Sequence, residues 1–311
     1  MMPDKPGVER IYVWIGFFIV SWVWGSTWLA IKIGLHSVPP MLGAGIRFFI
    51  ASAILYTIIR VRKTPIPFTP DLRRLYAVLI LFSYSIPFAL VYWCQQFIPT
   101  GLSSILFAVY PFWVALISHF LLDNERLNIY KMAGIVLGFM GLIIIFARDV
   151  HWTDPRGLLG MMGILASTLM QAFSLVLIKK HGKDVSPFAL NFVGMSVAGM
   201  MLLVTGLLLE SADSIIWDAA AVGSILYLAV VGSVIAFVTY HWLLKRVEAV
   251  YLSLVSFINP IIAVILGSIV LQEALAATVF VGAGFVLAGI LVANGRQLYA
   301  KAFSEPSGVQ P

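Results

Sequence analysis

Residues 11–33, IYVWIGFFIVSWVWGSTWLAIKI, decide the fold of this chain. The stretch carries one charged residue, Lys32, and about 20 mainly apolar residues are enough for a helix to cross a bilayer. Nine further apolar runs follow, so the sequence predicts an all-α membrane protein with ten transmembrane helices. The further runs lie at about residues 41–59, 75–97, 101–122, 130–147, 157–178, 187–209, 219–243, 249–271 and 275–295.

The composition of the chain excludes an ordinary soluble fold. Of the 311 residues, 61% are hydrophobic and only 11% are charged, and the mean hydropathy is +0.98. A soluble protein of this size has too little interior to hide so much apolar surface. The net charge of +6 does not indicate a nucleic-acid partner, because the basic residues lie mainly in loops on one side of the predicted membrane.

The second half of the chain repeats residue types of the first half after about 148 positions. We therefore predict two five-helix repeats, residues 11–147 and 157–295, followed by a cytoplasmic tail, residues 296–311. Five spans are an odd number, so the second repeat would enter the membrane upside down, as in many alternating-access transporters. The matched pairs are Ser26 and Ser174, Lys32 and Lys180, Gly34 and Gly182, Pro39 and Pro187, Ser85 and Ser233, Tyr92 and Tyr240, Glu125 and Glu273, Gly134 and Gly282, and Gly141 and Gly289.

The distribution of basic residues predicts the orientation. Sixteen of the twenty Lys and Arg residues lie on one predicted side of the membrane, whereas the loops of the other side hold only Arg148 and Arg156. By the positive-inside rule both termini are cytoplasmic, in a multi-pass protein of the plasma or inner membrane. This requires an even number of spans. The basic loops are expected to contact anionic lipid at the cytoplasmic face.

Two sequence patterns resemble the EamA family within the drug/metabolite transporter superfamily. The resemblance extends over residues 11–295 and implies a ten-helix carrier of small metabolites, often an exporter of amino acids or related compounds, with the path between the repeats. It identifies no substrate. One pattern is WGSTW at residues 24–28 with Lys32, Pro39-Pro40 and Arg47-Phe48, and the other is a proline followed by a glutamate, Pro111 with Glu125 and Pro260 with Glu273.

Pro111 and Pro260 lie about halfway along predicted helices four and nine. A proline removes one backbone hydrogen bond and crowds the carbonyl four residues earlier, here that of Phe107 or Ser256. Interruptions at matching places in two repeats point to a binding site near the membrane midplane. The alternative is that neighbouring helices accommodate both prolines as structural kinks.

Polar side chains at membrane depth need partners, and those near the predicted kinks are candidates for the substrate path. Arg47 would lie roughly 10 Å below the outer interface at 1.5 Å per residue, where it either satisfies carbonyls or binds a substrate carboxylate. The alternative is helix packing for the polar residues and a lipid-facing position for Trp24. The candidates besides Arg47 are Trp24, Tyr84, Tyr110, Gln171, Ser256 and Asn259.

The acidic residues all fall outside the centres of the predicted helices, which argues against a carrier that exchanges cationic drugs for protons. Four residues near helix ends are candidates for gating or coupling: Glu125, Glu273, His119 and His241. The simpler alternative is helix-end hydrogen bonding for the glutamates and interfacial packing for the histidines. Lys32 is interpreted as a residue that snorkels to the interface.

The sequence lacks the motifs of membrane enzymes: an acidic cluster for Mg²⁺, a His or Cys set for another metal, and a nucleotide-binding glycine loop. We therefore predict no cofactor, no metal and no enzymatic activity. The predicted function is secondary transport, not driven by ATP, of a small organic metabolite, with amino-acid export by alternating access as the leading hypothesis. A monomer would be sufficient. A passive channel, a lipid scramblase and a polytopic enzyme stay open as alternatives.

Overall fold

The computed structural model describes residues 6–122, 128–148, 155–253 and 255–303. Within these ranges the regular elements are helices and no strand is formed, which confirms the predicted all-α class. A 3₁₀ turn, Ala212–Ser214, lies between the eighth and ninth helices. The helices are α1 Pro6–Gly34, α2 Pro40–Arg62, α3 Pro70–Cys94, α4 Thr100–Phe107, α5 Tyr110–Leu121, α6 Ile129–Arg148, α7 Pro155–His181, α8 Pro187–Leu209, α9 Ala219–Leu244, α10 Ala249–Ser253, α11 Val255–Val270 and α12 Ala277–Phe303.

Seven segments of the described chain are long and apolar enough to cross a membrane. They are α1 from Ile11 onward, α2, α3, α4 and α5 taken together, α7, α8 and α9. Three shorter apolar stretches, Ile129–Gly141, Ile258–Val270 and Ala277–Gly289, lie in α6, α11 and α12. Eight of the ten predicted spans thus fall on a single helix, and the spans at 101–122 and 249–271 each fall on two. The number of ten crossings and the inverted relation of the repeats stay predictions.

Helix α12 continues beyond its predicted end at residue 295 and reaches Phe303. The first part of the predicted tail is therefore helical, while residues 304–311 lie outside the described ranges. Hydropathy marks the part of a helix that crosses the membrane, and a helix continues past that part as long as its backbone bonds are made.

Acidic side chains of the second half accept hydrogen bonds from backbone N–H groups at the starts of helices in both halves. The Glu210 carboxylate accepts hydrogen bonds from the backbone N–H groups of Met41 (2.8 Å) and Leu42 (3.0 Å), at the start of α2. Asp218 accepts from the Ala221 N–H at the start of α9 and from the Ser37 hydroxyl. These two bonds, the Ala221 bond more strongly, hold the pKa of Asp218 below its usual value.

Helices α6 and α12 pack with their backbones in contact. A Cβ placed on Gly141 would clash with the carbonyl oxygen of Gly282, and one on Gly289 would clash with the carbonyl oxygen of Gly134. Small residues allow this close approach between membrane helices. The contact is reciprocal, and its four glycines are two of the matched pairs in the sequence repeat.

Helices α3 and α9 each contain a π-helical stretch, Leu79–Ser85 and Leu228–Ile235 respectively. The two stretches begin 149 residues apart, so they occupy the same place in the two halves. Such stretches are rare and are often found at functional sites. A π-helical turn holds more residues than an α-helical turn, so the side chains after it are rotated about the helix axis. The stretch therefore determines on which face of the helix those side chains lie.

The two predicted proline kinks take different forms. Residues 108–109 form a turn that separates α4 from α5, and Pro111 lies in the first turn of α5. Because Pro111 has no N–H, it cannot donate to the Phe107 carbonyl, and the helix ends there. Pro260 instead lies inside α11, which continues through it. Residue 254, between α10 and α11, is outside the described residues.

Candidate functional site

A cavity of about 80 Å³ lies between helices of the two halves. This is room for several water molecules. Its walls come from α1 to α5 in the first half and from α7, α9, α10 and α11 in the second. Tyr84, Pro111 and Pro260 are not among the described residues that line it. Seven residues predicted from the sequence do line it: Trp24, Arg47, Tyr110, Gln171, His241, Ser256 and Asn259.

Arg47 is the buried cation of this cavity, with 1% of its surface exposed. Its Nε donates to Ser233 Oγ at 2.8 Å, and longer bonds of 3.4 Å reach Tyr92 Oη and the Gly232 carbonyl. Its guanidinium also lies 5.0 Å from the centre of the Phe88 ring. Among the described residues no Asp or Glu forms an ion pair with it. A buried charge that lacks a counter-ion is costly, and a ligand carboxylate would relieve that cost.

The π-helical stretch of α9 positions the partners of Arg47. Within it, the Ser233 hydroxyl donates to the Leu228 carbonyl five residues earlier, at 2.8 Å. Its oxygen therefore remains the acceptor for Arg47 Nε. Gly232 lies beside it, and its carbonyl also accepts a 3.4 Å bond from Trp24 Nε1.

The position of Arg47 has a different occupant in the second half. Helices α2 and α8 begin at Pro40 and Pro187, so Arg47 corresponds to Gly194. A Cβ on Gly194 would lie 2.5 Å from the Tyr84 ring. The ring of Tyr84 therefore uses the space that the glycine leaves, and the cavity is chemically asymmetric although the helices repeat.

Aromatic rings form the apolar walls of the cavity. The Trp24 ring lies 4.6 Å from Tyr240 and 5.0 Å from Phe237, measured between centroids. Trp28 packs edge-on against Phe107 at 5.4 Å. Trp24 and Trp28, one helical turn apart on α1, both line the cavity. Such walls accept a flat apolar group and exclude water around it.

The polar residues from α5, α7 and α11 differ in how far their bonds are satisfied. Tyr110 and Tyr240 share a hydrogen bond of 3.1 Å between their hydroxyls. Ser256 Oγ donates to the Ser253 carbonyl, and the Asn259 amide, oriented so that its nitrogen is satisfied, donates to Ser21 and Val255 carbonyls. Gln171 has no hydrogen-bond partner among the described residues, which leaves its amide for a ligand.

Tyr84 reaches the cavity indirectly, through a buried cluster of three side chains. The Tyr84 hydroxyl donates to Asn191 Oδ1 at 2.5 Å, and His241 Nδ1 lies 3.0 Å from the same oxygen. His241 is only 4% exposed and lines the cavity. The interpretation of His241 as an interfacial packing residue is therefore wrong.

The two other gating candidates that the structure describes lie away from the cavity. Glu273 accepts hydrogen bonds from the N–H groups of Thr100 (3.0 Å) and Gly101 (3.4 Å), so it caps α4. His119 is half-buried on α5, with its ring against Phe120. Glu125 lies outside the described residues.

Lys32, interpreted as a snorkelling residue, instead donates to the carbonyls of Gln95 and Ile98 at the end of α3. It thus supplies donors to a helix C-terminus, where carbonyls lack intrahelical partners.

Sequence reasoning missed several residues of the site. Asn191 is fully buried in α8. The sequence does signal it, because a single amide within an apolar run needs a polar partner. Tyr92, Ser233 and Tyr240 appeared in the repeat but were not connected to a site, because their partners come from helices far apart in the sequence. Among the described residues no three His, Cys, Asp or Glu side chains come together as a metal site.

Comparison with known proteins gives a family match over both halves. A model described as the EamA-like transporter family matches residues 11–147 and 158–295. The uncharacterized transporter YoaV of Bacillus subtilis is 29% identical over 282 residues, which is 91% of this chain and 96% of that protein. The uncharacterized inner membrane transporter YedA of Escherichia coli K12 is 27% identical over 91% of this chain and 90% of its own length.

A solved crystal structure shares the fold. It superposes with a TM-score of 0.70 over 94% of this chain and 98% of that chain, at 18% sequence identity.

Proposed function

The chain belongs to the EamA-like transporter family, and on that premise we propose that it exports a small organic metabolite with a carboxylate group, such as an amino acid or a relative. The protein is a membrane transporter with an all-α fold. The cargo would occupy the cavity between the halves, with its carboxylate at Arg47. The protein would lie in the inner membrane with both termini in the cytoplasm.

One observation carries this proposal: Arg47 is buried at the cavity and the described residues offer it no carboxylate. Three neutral acceptors around the guanidinium compensate only part of its lost hydration. A planar guanidinium can hold a carboxylate through two parallel hydrogen bonds. Amide and aromatic groups elsewhere in the cavity would hold the rest of the cargo.

Internal repetition supports a mechanism in which two inverted five-helix repeats rock against each other. The reciprocal glycine contact of α6 with α12 and the paired π-helical stretches of α3 and α9 are what a pseudo-two-fold axis would produce. In this proposal ten spans are divided into residues 11–147 and 157–295, and the cavity opens alternately to the two sides. The break at residues 108–109 would supply flexibility.

The energy for transport would come from a gradient, and the cargo's own gradient is the simplest choice. The described cavity contains no carboxylate of the kind that binds a coupling proton in many carriers. Non-enzymatic facilitated exchange is therefore part of the proposal, together with contact between the basic cytoplasmic loops and anionic lipid.

The test is efflux from proteoliposomes loaded with mixed amino acids and organic acids and read by mass spectrometry. Wild type would be compared with Arg47→Gln and, as a matched control, with Arg246→Gln, which replaces an exposed arginine outside the cavity. We expect wild type and Arg246→Gln to show selective and saturable efflux of carboxylates. We expect Arg47→Gln to show none. Efflux that does not saturate would indicate a channel. Movement of lipid without efflux would indicate a scramblase, and a chemically altered product would indicate an enzyme.

A further inference from the structure

His241 lies in the cavity wall, and its neighbours determine which of its two ring nitrogens carries the proton. The Asn191 amide nitrogen donates to the Pro187 carbonyl at 2.7 Å, so the amide oxygen must face Tyr84 and His241. A carbonyl oxygen only accepts hydrogen bonds, hence His241 Nδ1 carries the proton. In the neutral ring, Nε2 is then an acceptor.

The Nε2 acceptor of His241 is available to a ligand. Among the described residues none forms a hydrogen bond with it, although His241 is 96% buried in the cavity wall. The neutral ring is the form that needs no counter-ion in such a position. A donor on the cargo would supply the hydrogen bond that this acceptor lacks within the protein.

Arg47, on α2, and His241, on α9, reach the cavity at two different levels along α9. Arg47 binds Ser233, and His241 follows eight residues later, which is about 12 Å along a helix at 1.5 Å per residue. A cargo that contacts both Arg47 and His241 must therefore present its carboxylate and its second polar group at well separated positions. The α-amino group of an amino acid is too close to its carboxylate to do this.

The wall between these two levels is aromatic. Phe88 lies under the Arg47 guanidinium, and Phe237 lies 6.1 Å from Phe88 and 6.3 Å from His241, measured between centroids. Trp24 packs on Phe237. An apolar, preferably flat, middle part of the cargo fits such a wall.

We infer that His241 is a second cargo contact, whose Nε2 accepts a hydrogen bond from an N–H or O–H group remote from the carboxylate at Arg47. The inference rests on the proposed function and narrows the cargo to carboxylates with a distal donor, such as a ring hydroxyl. Asn191 and Tyr84 act as positioning residues, because they fix the tautomer of the ring without contacting the cargo.

Three carboxylates that differ only in their hydroxyl test the inference in proteoliposomes. They are 3-phenylpropanoate, 3-(4-hydroxyphenyl)propanoate and 2-hydroxy-3-phenylpropanoate. For wild type we expect the 4-hydroxy compound to have a half-saturation concentration about tenfold lower than that of the parent, as one buried hydrogen bond provides. The 2-hydroxy compound, whose hydroxyl lies next to the carboxylate, should show no such gain.

Variants then assign the preference to the imidazole. In His241→Phe the ratio of the half-saturation concentrations of 3-phenylpropanoate and the 4-hydroxy compound should fall from about ten to about one, whatever the absolute rate of the variant. His241→Gln, which keeps an acceptor, should restore part of that ratio. His119→Phe, on α5 outside the cavity, should keep the full preference.

The results separate this inference from the proposed function. The same preference in His241→Phe as in wild type would overturn the inference, and so would the absence of any preference in wild type that transports 3-phenylpropanoate. The wild-type comparison does not depend on how well a variant folds. If wild type transported no carboxylate at all, the proposed function would fail and the inference with it.

Discussion

Lys32 and Lys179 make the same pair of hydrogen bonds in the two halves of the protein. Lys32 Nζ donates to the carbonyls of Gln95 (2.5 Å) and Ile98 (3.1 Å), just beyond α3. Lys179 Nζ donates to those of Leu244 (2.7 Å) and Val247 (2.6 Å), at the end of α9. In both cases the two acceptors are three residues apart. The structural counterpart of Lys32 is thus Lys179 and not Lys180.

Replacement of Lys179 should therefore destabilise the protein more than replacement of its neighbour. Lys179→Ala removes the donor to two carbonyls at a helix end, which costs about 1–3 kcal/mol. Lys180→Ala changes an exposed side chain, so its effect should stay within about 0.5 kcal/mol. Thermal unfolding in detergent compares them, and an equal loss for both would contradict the assignment.

Arg47 should not be replaceable by lysine. Arg47→Lys keeps the positive charge but loses the planar fork that holds Ser233, Tyr92 and the cargo carboxylate. We expect the ratio of maximal rate to half-saturation concentration to fall by at least about tenfold, equivalent to about 1.4 kcal/mol. Concentration-dependent efflux measures it, and normal kinetics in Arg47→Lys would show that charge alone is sufficient.

Removal of the Glu273 carboxylate should loosen the start of α4. Glu273→Ala leaves the N–H groups of Thr100 and Gly101 without their acceptor, a loss of about 0.5–2 kcal/mol for a helix cap. Asp213→Ala, at an exposed position of the 3₁₀ turn, serves as the control. If thermal stability fell equally in both variants, the cap would not be the cause.

The two prolines should differ when each is replaced by alanine. In Pro111→Ala the new N–H can bond to the Phe107 carbonyl and join α4 to α5 across the break. Pro260 lies within a continuous helix, so Pro260→Ala changes the backbone less. We expect transport per folded molecule to fall several-fold more in Pro111→Ala. Equal rates would mean that the break has no part in the transport cycle.

Acid should remove the stabilising effect of Asp218. Its pKa is lowered in the folded protein by the Ala221 N–H and the Ser37 hydroxyl. The ionised carboxylate therefore contributes stability above the pKa of the unfolded chain, about 4, and loses it as the pH falls through the folded value. The difference in melting temperature between wild type and Asp218→Ala should shrink as the pH falls from 7 toward 3. A difference independent of pH would exclude this role.

Much of the helix pattern was predictable from apolar runs alone. The predicted run at 187–209 coincides with α8, and Arg47 could be recognised from its depth in an apolar stretch. These features depend on local hydropathy, which the sequence states directly.

The register between the two halves was not predictable at single-residue precision. Lys32 and Lys179 are 147 residues apart, whereas the π-helical stretches are 149 apart. A single offset of 148 therefore pairs some residues wrongly. The face on which Tyr84 lies also depends on the π-helical turn that contains it, and that turn has no clear sequence signal.

The glycine contact between α6 and α12 bears on how such a chain can originate. Gly134 and Gly141 of one repeat meet Gly289 and Gly282 of the other in matching reciprocal contacts. A surface of this kind is self-complementary, as in isologous dimers. One repeat on its own carries both parts of the contact, so two identical copies of such a repeat would have the surface needed to pair.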